Sequence, residues 1–195
     1  MADALILVDV QNDFCPGGAL PVPNGDQVVP VLNRYMERAE RAGIPIYASR
    51  DWHPARTVHF AEQGGPWPVH CVQGTHGAEF HPDLKLPDDA EIVTKGTSGR
   101  DDGYSAFEGT LPSRQGLAQA LRDQGVTRVY VGGLATDYCV RATALGARAA
   151  GFDVVWLRDA SKPVEVRPGD GERAERELLA AGARAETLEQ FNPQK

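Results

Sequence analysis

The chain has 195 residues, with 27 acidic against 20 basic side chains and a net charge of −7; that balance disfavours a duplex nucleic-acid binder, whose phosphate contacts need a basic face. Its 42% hydrophobic and 24% charged fractions belong to an ordinary globular protein rather than a disordered one, and the length suits one domain over residues 1–195. No apolar run approaches the roughly 20 residues of a membrane span, and the opening MADALILVDVQNDF lacks the basic start of a secretory signal.

Residues 4–8 (ALILV) form a continuous apolar run without polar alternation, the pattern of a strand buried on both faces. Asp9 ends it. Asn24-Gly25-Asp26 then offer helix-start chemistry, and Val28, Val31, Leu32, Tyr35, Met36 and Ala39 recur at helical spacing until Gly43. A second strand is predicted over 44–48. After it comes a long stretch, 51–87, rich in His, Pro and Gly; Trp52, Phe60, Trp67 and Phe80 give it anchors, so it reads as an ordered functional loop. A third strand over 90–94 ends on Lys95, and 96–112 is again irregular.

A helix is predicted from about 113 to 124, with Leu117, Ala120 and Leu121 inward, then a fourth strand over 128–134. The turn Gly132-Gly133-Leu134-Ala135-Thr136-Asp137 leads into a helix over 137–150, with Thr136 or Asp137 as its N-cap and Cys139 in its first turn. A fifth strand at 154–157, a helix from about 170 to 181 and a weaker sixth run at 183–188 complete the chain. Strands alternating with helices of this length imply crossover units and a parallel sheet covered on both faces, an α/β protein.

In such a sheet, ligands bind beyond the carboxyl ends of the strands. One acid, one thiol and one amine stand there: Asp9, Cys139 and Lys95. A cysteine at a helix start is expected to have a lowered pKa through the macrodipole. An adjacent carboxylate can take a thiol proton and return it to a leaving amine, and a lysine beside both stabilises developing negative charge. The glycine turn before Cys139 allows close backbone approach, and its N–H groups can form an oxyanion hole. Each of the three read alone is also an ordinary capping acid, solvated amine or buried thiol.

The second constellation is Asp51-x-His53, then His59 and His70, three of the chain's five histidines with one carboxylate. Such donors suit Zn²⁺, Fe²⁺ or Mn²⁺. Cys71 is a competing ligand, and His76 and His81 are further candidates that read equally well as surface residues. Phe14, Trp67 and Tyr104 fall in loops near these positions and could wall an aromatic ligand. The three cysteines, Cys15, Cys71 and Cys139, form no C-x-x-C pair. A sparse, odd count suits a reducing compartment, so a cytoplasmic location is expected.

The segments LILVDVQNDFCPGGALPVPNGD, YASRDWHP, GGPWPVHCVQGTHGAEFHP, VTKG, YSAFEGT and VGGLATDYCVRATALGA occur in this order. Together they resemble nicotinamidases, which belong to the isochorismatase-like cysteine hydrolase superfamily; the likeness runs from about residue 5 to 159. It implies a three-layer α/β/α sandwich with a six-stranded parallel, Rossmann-like sheet, and a hydrolase that converts nicotinamide to nicotinate and ammonia through a cysteine thioester, with pyrazinamide as a second substrate. The implied triad is Asp9, Lys95 and Cys139, and the implied oxyanion hole is the N–H of Ala135 and Cys139 beside a cis peptide between Leu134 and Ala135.

The resemblance also implies one divalent ion, zinc foremost with iron or manganese as alternatives, on Asp51, His53 and His70. His59 matches a fourth ligand found in only some members; where many carry a histidine just after the DWHP turn, this chain has Arg56 or Thr57. The substrate contacts implied are Phe14, Trp67, Tyr104, Leu134 and Ala135. The partner is a small aromatic amide, with neither nucleic acid nor membrane; whether the chain acts as a monomer or a homo-oligomer stays open.

Overall fold

The computed structural model describes residues 2–100 and 102–195. Six strands form one sheet, β1 (Ala2–Val8), β2 (Ile46–Asp51), β3 (Glu91–Lys95), β4 (Val126–Leu134), β5 (Asp153–Lys162) and β6 (Arg184–Glu186), in the order β3-β2-β1-β4-β5-β6 with every pair parallel. The predicted three-layer α/β/α class is what the chain adopts.

Alternation along β1 explains the layers. Leu5 and Leu7 point to one face, where they meet Leu32, Tyr35 and Met36 of α1 (Val28–Ala42). Ala4, Ile6 and Val8 point to the other, with Leu117 and Leu121 of α2 (Leu117–Asp123), Ala144 and Ala147 of α3 (Arg141–Ala149), and Leu178 of α4 (Asp170–Ala180). With both faces covered, a strand of this kind has no polar side to show, which is why its sequence does not alternate. No helix among the described residues is long and apolar enough to cross a membrane.

Four local expectations are corrected. The helix predicted from about 113 begins only at Leu117, because Arg114 takes a left-handed conformation (φ 68°) at a turn closed by its N–H donating to Leu111 O at 2.8 Å, and Gly116 is extended and bridged to Thr110. The helix predicted from 137 begins at Arg141; a wide turn, Thr136–Val140, precedes it, with Val140 N–H donating to Ala135 O at 3.0 Å. Neither Thr136 nor Asp137 caps that turn: the Asp137 carboxylate instead accepts from Val164 N and Glu165 N, both at 2.9 Å, and Thr136 Oγ1 is buried without a partner. Asn24 likewise makes no side-chain cap, although α1 does follow it and Gly43 (φ 67°) ends it as expected.

The chain runs outward from β1 through β2 to β3, then returns to β4 on the other side of β1 and proceeds to β6. The reversal point lies between β1 and β4, and a crevice opens there beyond the strand ends. Gly133 permits the close approach of these two strands. A Cβ at this position would lie 2.2 Å from Val8 O, and its φ of 125° excludes most side chains. Gly133→Ala is therefore expected to destabilise the fold by about 3 kcal/mol, from overpacking and backbone strain together. Urea denaturation checks this, and an unchanged midpoint would contradict it.

Candidate active site

Four adjacent strands deliver the reactive side chains to one place. Asp51 and Lys95 are paired neighbours at the ends of β2 and β3, Asp9 follows β1, and Cys139 sits in the wide turn after β4. All four are buried. Lys95 is the hub: its Nζ lies 2.7 Å from Asp9 Oδ2, donates to Asp51 Oδ1, donates to Gly103 O at 2.6 Å and reaches Cys139 Sγ at 3.7 Å.

Asp9 adopts φ 49°, which turns its carboxylate inward, and Oδ1 accepts from Ser49 Oγ at 2.7 Å. Its Oδ2 touches Lys95 as an ion pair but receives no directed hydrogen bond, so that oxygen keeps accepting capacity. Oxygen atoms of Asp9 and Asp51 and the sulfur of Cys139 lie within 4.8 Å of one another.

Burial raises the Asp9 carboxyl, Lys95 opposes that rise, and the Asp51 charge adds to it; the balance is a raised pKa. Burial would also raise Asp51, but the ammonium of Lys95 holds it well below the usual carboxylate range. Lys95 loses by burial and gains more from Asp51 and Asp9, so it stays protonated. Cys139 corrects the expectation drawn from helix position. It precedes α3 rather than lying in its first turn, and burial, only partly offset by Lys95, pushes its thiol well up. The resting group is a thiol beside a carboxylate, not a free-standing thiolate.

The histidine set is brought together next to Asp51. One nitrogen from each of His53, His59 and His70 lies within 4.8 Å of the others, and Asp51 Oδ2 is 3.5 Å from His53 Nε2 and 4.0 Å from His70 Nε2. Three Nδ1 atoms already face acceptors: Gly96 O at 3.1 Å for His53, Pro68 O at 2.7 Å for His70, and Asp102 Oδ1 at 3.3 Å for His59. A carbonyl can only accept, so Nδ1 carries the proton on His53 and His70 and their Nε2 atoms keep a lone pair. His53 Nε2 is buried with no hydrogen-bond partner. Burial lowers His70 to about 4 and lowers His59 as well, which keeps both rings neutral and able to donate lone pairs. Buried neutral imidazoles facing one carboxylate, with an orphaned Nε2 among them, are donors of the kind that could hold a divalent cation.

Gly96 makes this packing achievable, since a Cβ there would lie 2.6 Å from His53 Cε1. The other candidates fall outside the cluster. Cys71 sends its thiol toward Gly77 O at 4.0 Å, while its N–H donates to Asp13 Oδ2 at 2.7 Å. His76 is exposed and pairs with Glu79, and His81 Nδ1 accepts from Asp83 N at 3.2 Å. Cys15 is buried in the α1-side core, and burial pushes its thiol up to about 11.

Between the two clusters lies a pocket lined by Phe14, Trp67, Tyr104, Leu134, Ala135 and Cys139, with Asp51, His59 and His70 on its floor. Trp67 Nε1 donates to Tyr104 Oη at 2.8 Å, locking two of the expected walls together. The peptide between Leu134 and Ala135 is cis. Tyr138 also lines the pocket, packed edge-on to Trp67 at 4.8 Å, and Leu20, Val22 and Val164 join it. These were not foreseen. Tyr138 could have been, as the residue before Cys139; the aliphatic three arrive from segments whose sequence carries no such signal. Gln11 was missed too: its amide accepts from Asp51 N and donates to Asp51 O, both at 2.8 Å, and so clamps the residue that both clusters share.

The site brings a thiol, a carboxylate and an ammonium together beside a histidine set that could hold a cation. The isochorismatase domain model matches residues 3–190, and the chain belongs to that family. It is 41% identical to a nicotinamidase of Escherichia coli, covering 95% of this chain and 94% of that protein. The crystal structure of a pyrazinamidase of Pyrococcus horikoshii in complex with zinc superposes with a TM-score of 0.89 at 49% identity, over 96% of this chain and all of that one. A structure from L. infantum in complex with nicotinate superposes at 0.82, with 36% identity over 96% of this chain and 93% of that one.

Removing the hub has a defined cost. Lys95→Met leaves Asp9 and Asp51 buried without a counter-charge, and loss of one partner from a buried ion network costs about 3–5 kcal/mol. Chemical denaturation of the variant near neutral pH is expected to show a loss of that size, and a stability equal to the parent's would contradict the burial argument.

Proposed function

We propose that the chain is an amidase that hydrolyses nicotinamide to nicotinate and ammonia, with Asp9, Lys95 and Cys139 as its catalytic groups. The observation that carries this reading is the placement of a buried thiol–carboxylate–ammonium cluster and a buried Asp51/His53/His59/His70 set on either side of one aromatic-walled pocket. The family membership and the nicotinamidase and pyrazinamidase relatives support the same substrate class.

In the first half-reaction the Cys139 thiol proton passes to Asp9 as sulfur attacks the amide carbon. The new C–S bond pushes the carbonyl electron pair onto oxygen, where the N–H groups of Ala135 and Cys139 would stabilise it. Collapse breaks the C–N bond, and Asp9 returns the proton to the departing amine, releasing ammonia and leaving a thioester. In the second half-reaction Asp9 takes a proton from water, the water oxygen attacks the thioester carbon, and the C–S bond breaks. The sulfur recovers the proton, and nicotinate leaves. Lys95 holds Asp9 in register and keeps its charge compensated in both halves. The raised pKa of Asp9 suits a group that must gain and lose a proton in each turnover.

Phe14, Trp67 and Tyr104 would sandwich the ring, and Leu134 and Ala135 would bound its amide side. Asp51, His53, His59 and His70 would hold one divalent ion, zinc by analogy with the zinc-bound pyrazinamidase relative, with iron or manganese as alternatives; when bound it would supply a Lewis-acid anchor for the pyridine nitrogen. Pyrazinamide, a ring amide of the same shape, is expected to be a second substrate. Residues 1–195 are read as one catalytic domain, because a single sheet carries both clusters.

Cys139→Ala is expected to lower ammonia release from nicotinamide by several orders of magnitude, as removal of a catalytic nucleophile does; substantial residual turnover would sink the covalent route. Chelation of the parent protein is expected to raise KM, with recovery on adding back Zn²⁺. An unchanged KM in demonstrably metal-free protein would remove the anchoring role.

A further inference from the structure

The three imidazoles of the cluster are not supported alike. His53 and His70 each place Nδ1 against a main-chain carbonyl, whose position is set by the backbone. His59 alone relies on a side chain, with Nδ1 3.3 Å from Asp102 Oδ1. The His59 ring is 3% exposed, whereas the Asp102 side chain is 62% exposed. A buried cluster therefore has one support that reaches it from solvent.

The contact is built by the surrounding main chain. Val58 N–H donates to Gly99 O at 3.1 Å, tying the segment that carries His59 to the segment that carries Asp102. Neighbours of Asp102 on that second segment reach both clusters: Gly96 O receives His53, Gly103 O receives Lys95 Nζ, and Tyr104 Oη receives Trp67. Asp102 extends the same segment to His59. Its carboxylate can only accept from Nδ1–H when ionised, which leaves Nε2 as the nitrogen free to donate a lone pair. A charged acceptor also makes the imidazole a stronger donor than a carbonyl does.

We propose that Asp102 is a positioning residue for the metal set: by holding His59 through Nδ1 it makes His59 a fourth ligand and slows the loss of the ion. This rests on the reading that Asp51, His53, His59 and His70 hold a divalent cation. Without Asp102 the His59 ring keeps its packing against His53 and Tyr104 but loses the acceptor that fixes Nδ1–H, so Nε2 is no longer held as the lone-pair nitrogen and the set leans on three donors. Asp102 touches neither thiol nor substrate pocket, so its effect runs through the metal.

Two measurements independent of turnover test this. Zinc affinity is read by competition with a chromophoric chelator, and ligand geometry by the visible spectrum of the Co²⁺-loaded chain. Both are made on the parent, Asp102→Ala, Asp102→Asn, His59→Ala and the His59→Ala/Asp102→Ala double variant. Asp102→Ala is expected to weaken zinc binding about 10–100-fold and to alter the cobalt bands. Asp102→Asn, which keeps an acceptor oxygen without the charge, is expected to fall between. In the His59→Ala background the further loss of Asp102 is expected to change nothing, because the coupling partner is gone. Parent-like zinc affinity and cobalt spectrum in Asp102→Ala would overturn the proposal, as would an equal loss with and without His59. A parent that takes up no stoichiometric ion would overturn the metal reading itself, and this inference with it.

Discussion

The structure turns on one buried ammonium. Lys95 ends the short strand β3, is 1% exposed, and is held by Asp9, Asp51 and the carbonyl of Gly103. An unpaired ammonium in that position would lose its proton or drive the strands apart. Two carboxylates must therefore converge on it, and they come from the ends of the two strands β1 and β2. The register of β2 against β3, with Asp51 beside Lys95, is thus both a sheet property and a site property.

Asp51 carries that constraint outward. One of its oxygens serves Lys95 and the other faces His53 and His70, so a single carboxylate joins the thiol–carboxylate–ammonium cluster to the histidine set. Gln11 fixes its backbone from β1, and Ser49 on β2 returns the favour to Asp9. The division of charge follows. Lys95 keeps Asp51 ionised, while the Asp9 carboxyl, more desolvated than compensated, is raised. Two carboxylates a few ångströms apart acquire different tasks from their neighbours alone.

Much of the frame was legible because its signals are local. The apolar run ALILV, the helical spacing from Val28 to Ala39 and the stop at Gly43 depend on near neighbours, and the elements appear where expected. The clusters were legible because reactive residues at strand ends are sorted by topology once a parallel sheet is inferred. What failed was cap and turn chemistry. Asp137 looks like a cap but is taken by Val164 and Glu165, twenty-seven and twenty-eight residues on. Arg114 breaks a helix that its sequence would tolerate. In both cases a distant or irregular contact outbids a local preference worth about 1 kcal/mol.

An acidic composition disfavours a duplex-binding role, and a count of three cysteines leaves the thiols undistinguished. By itself the sequence determined the α/β class and the order of strands and helices, and it offered Asp9, Lys95 and Cys139, with Asp51, His53, His59 and His70, as candidates. Only the tertiary structure decided which thiol meets a carboxylate and an ammonium, that Cys139 rests protonated, that His59 joins the other two histidines, and that Tyr138, Gln11 and Asp102 belong to the same site. The physical reason is that composition and periodicity report on contacts within a few residues. Burial and charge compensation arise only when strands distant in the chain end side by side.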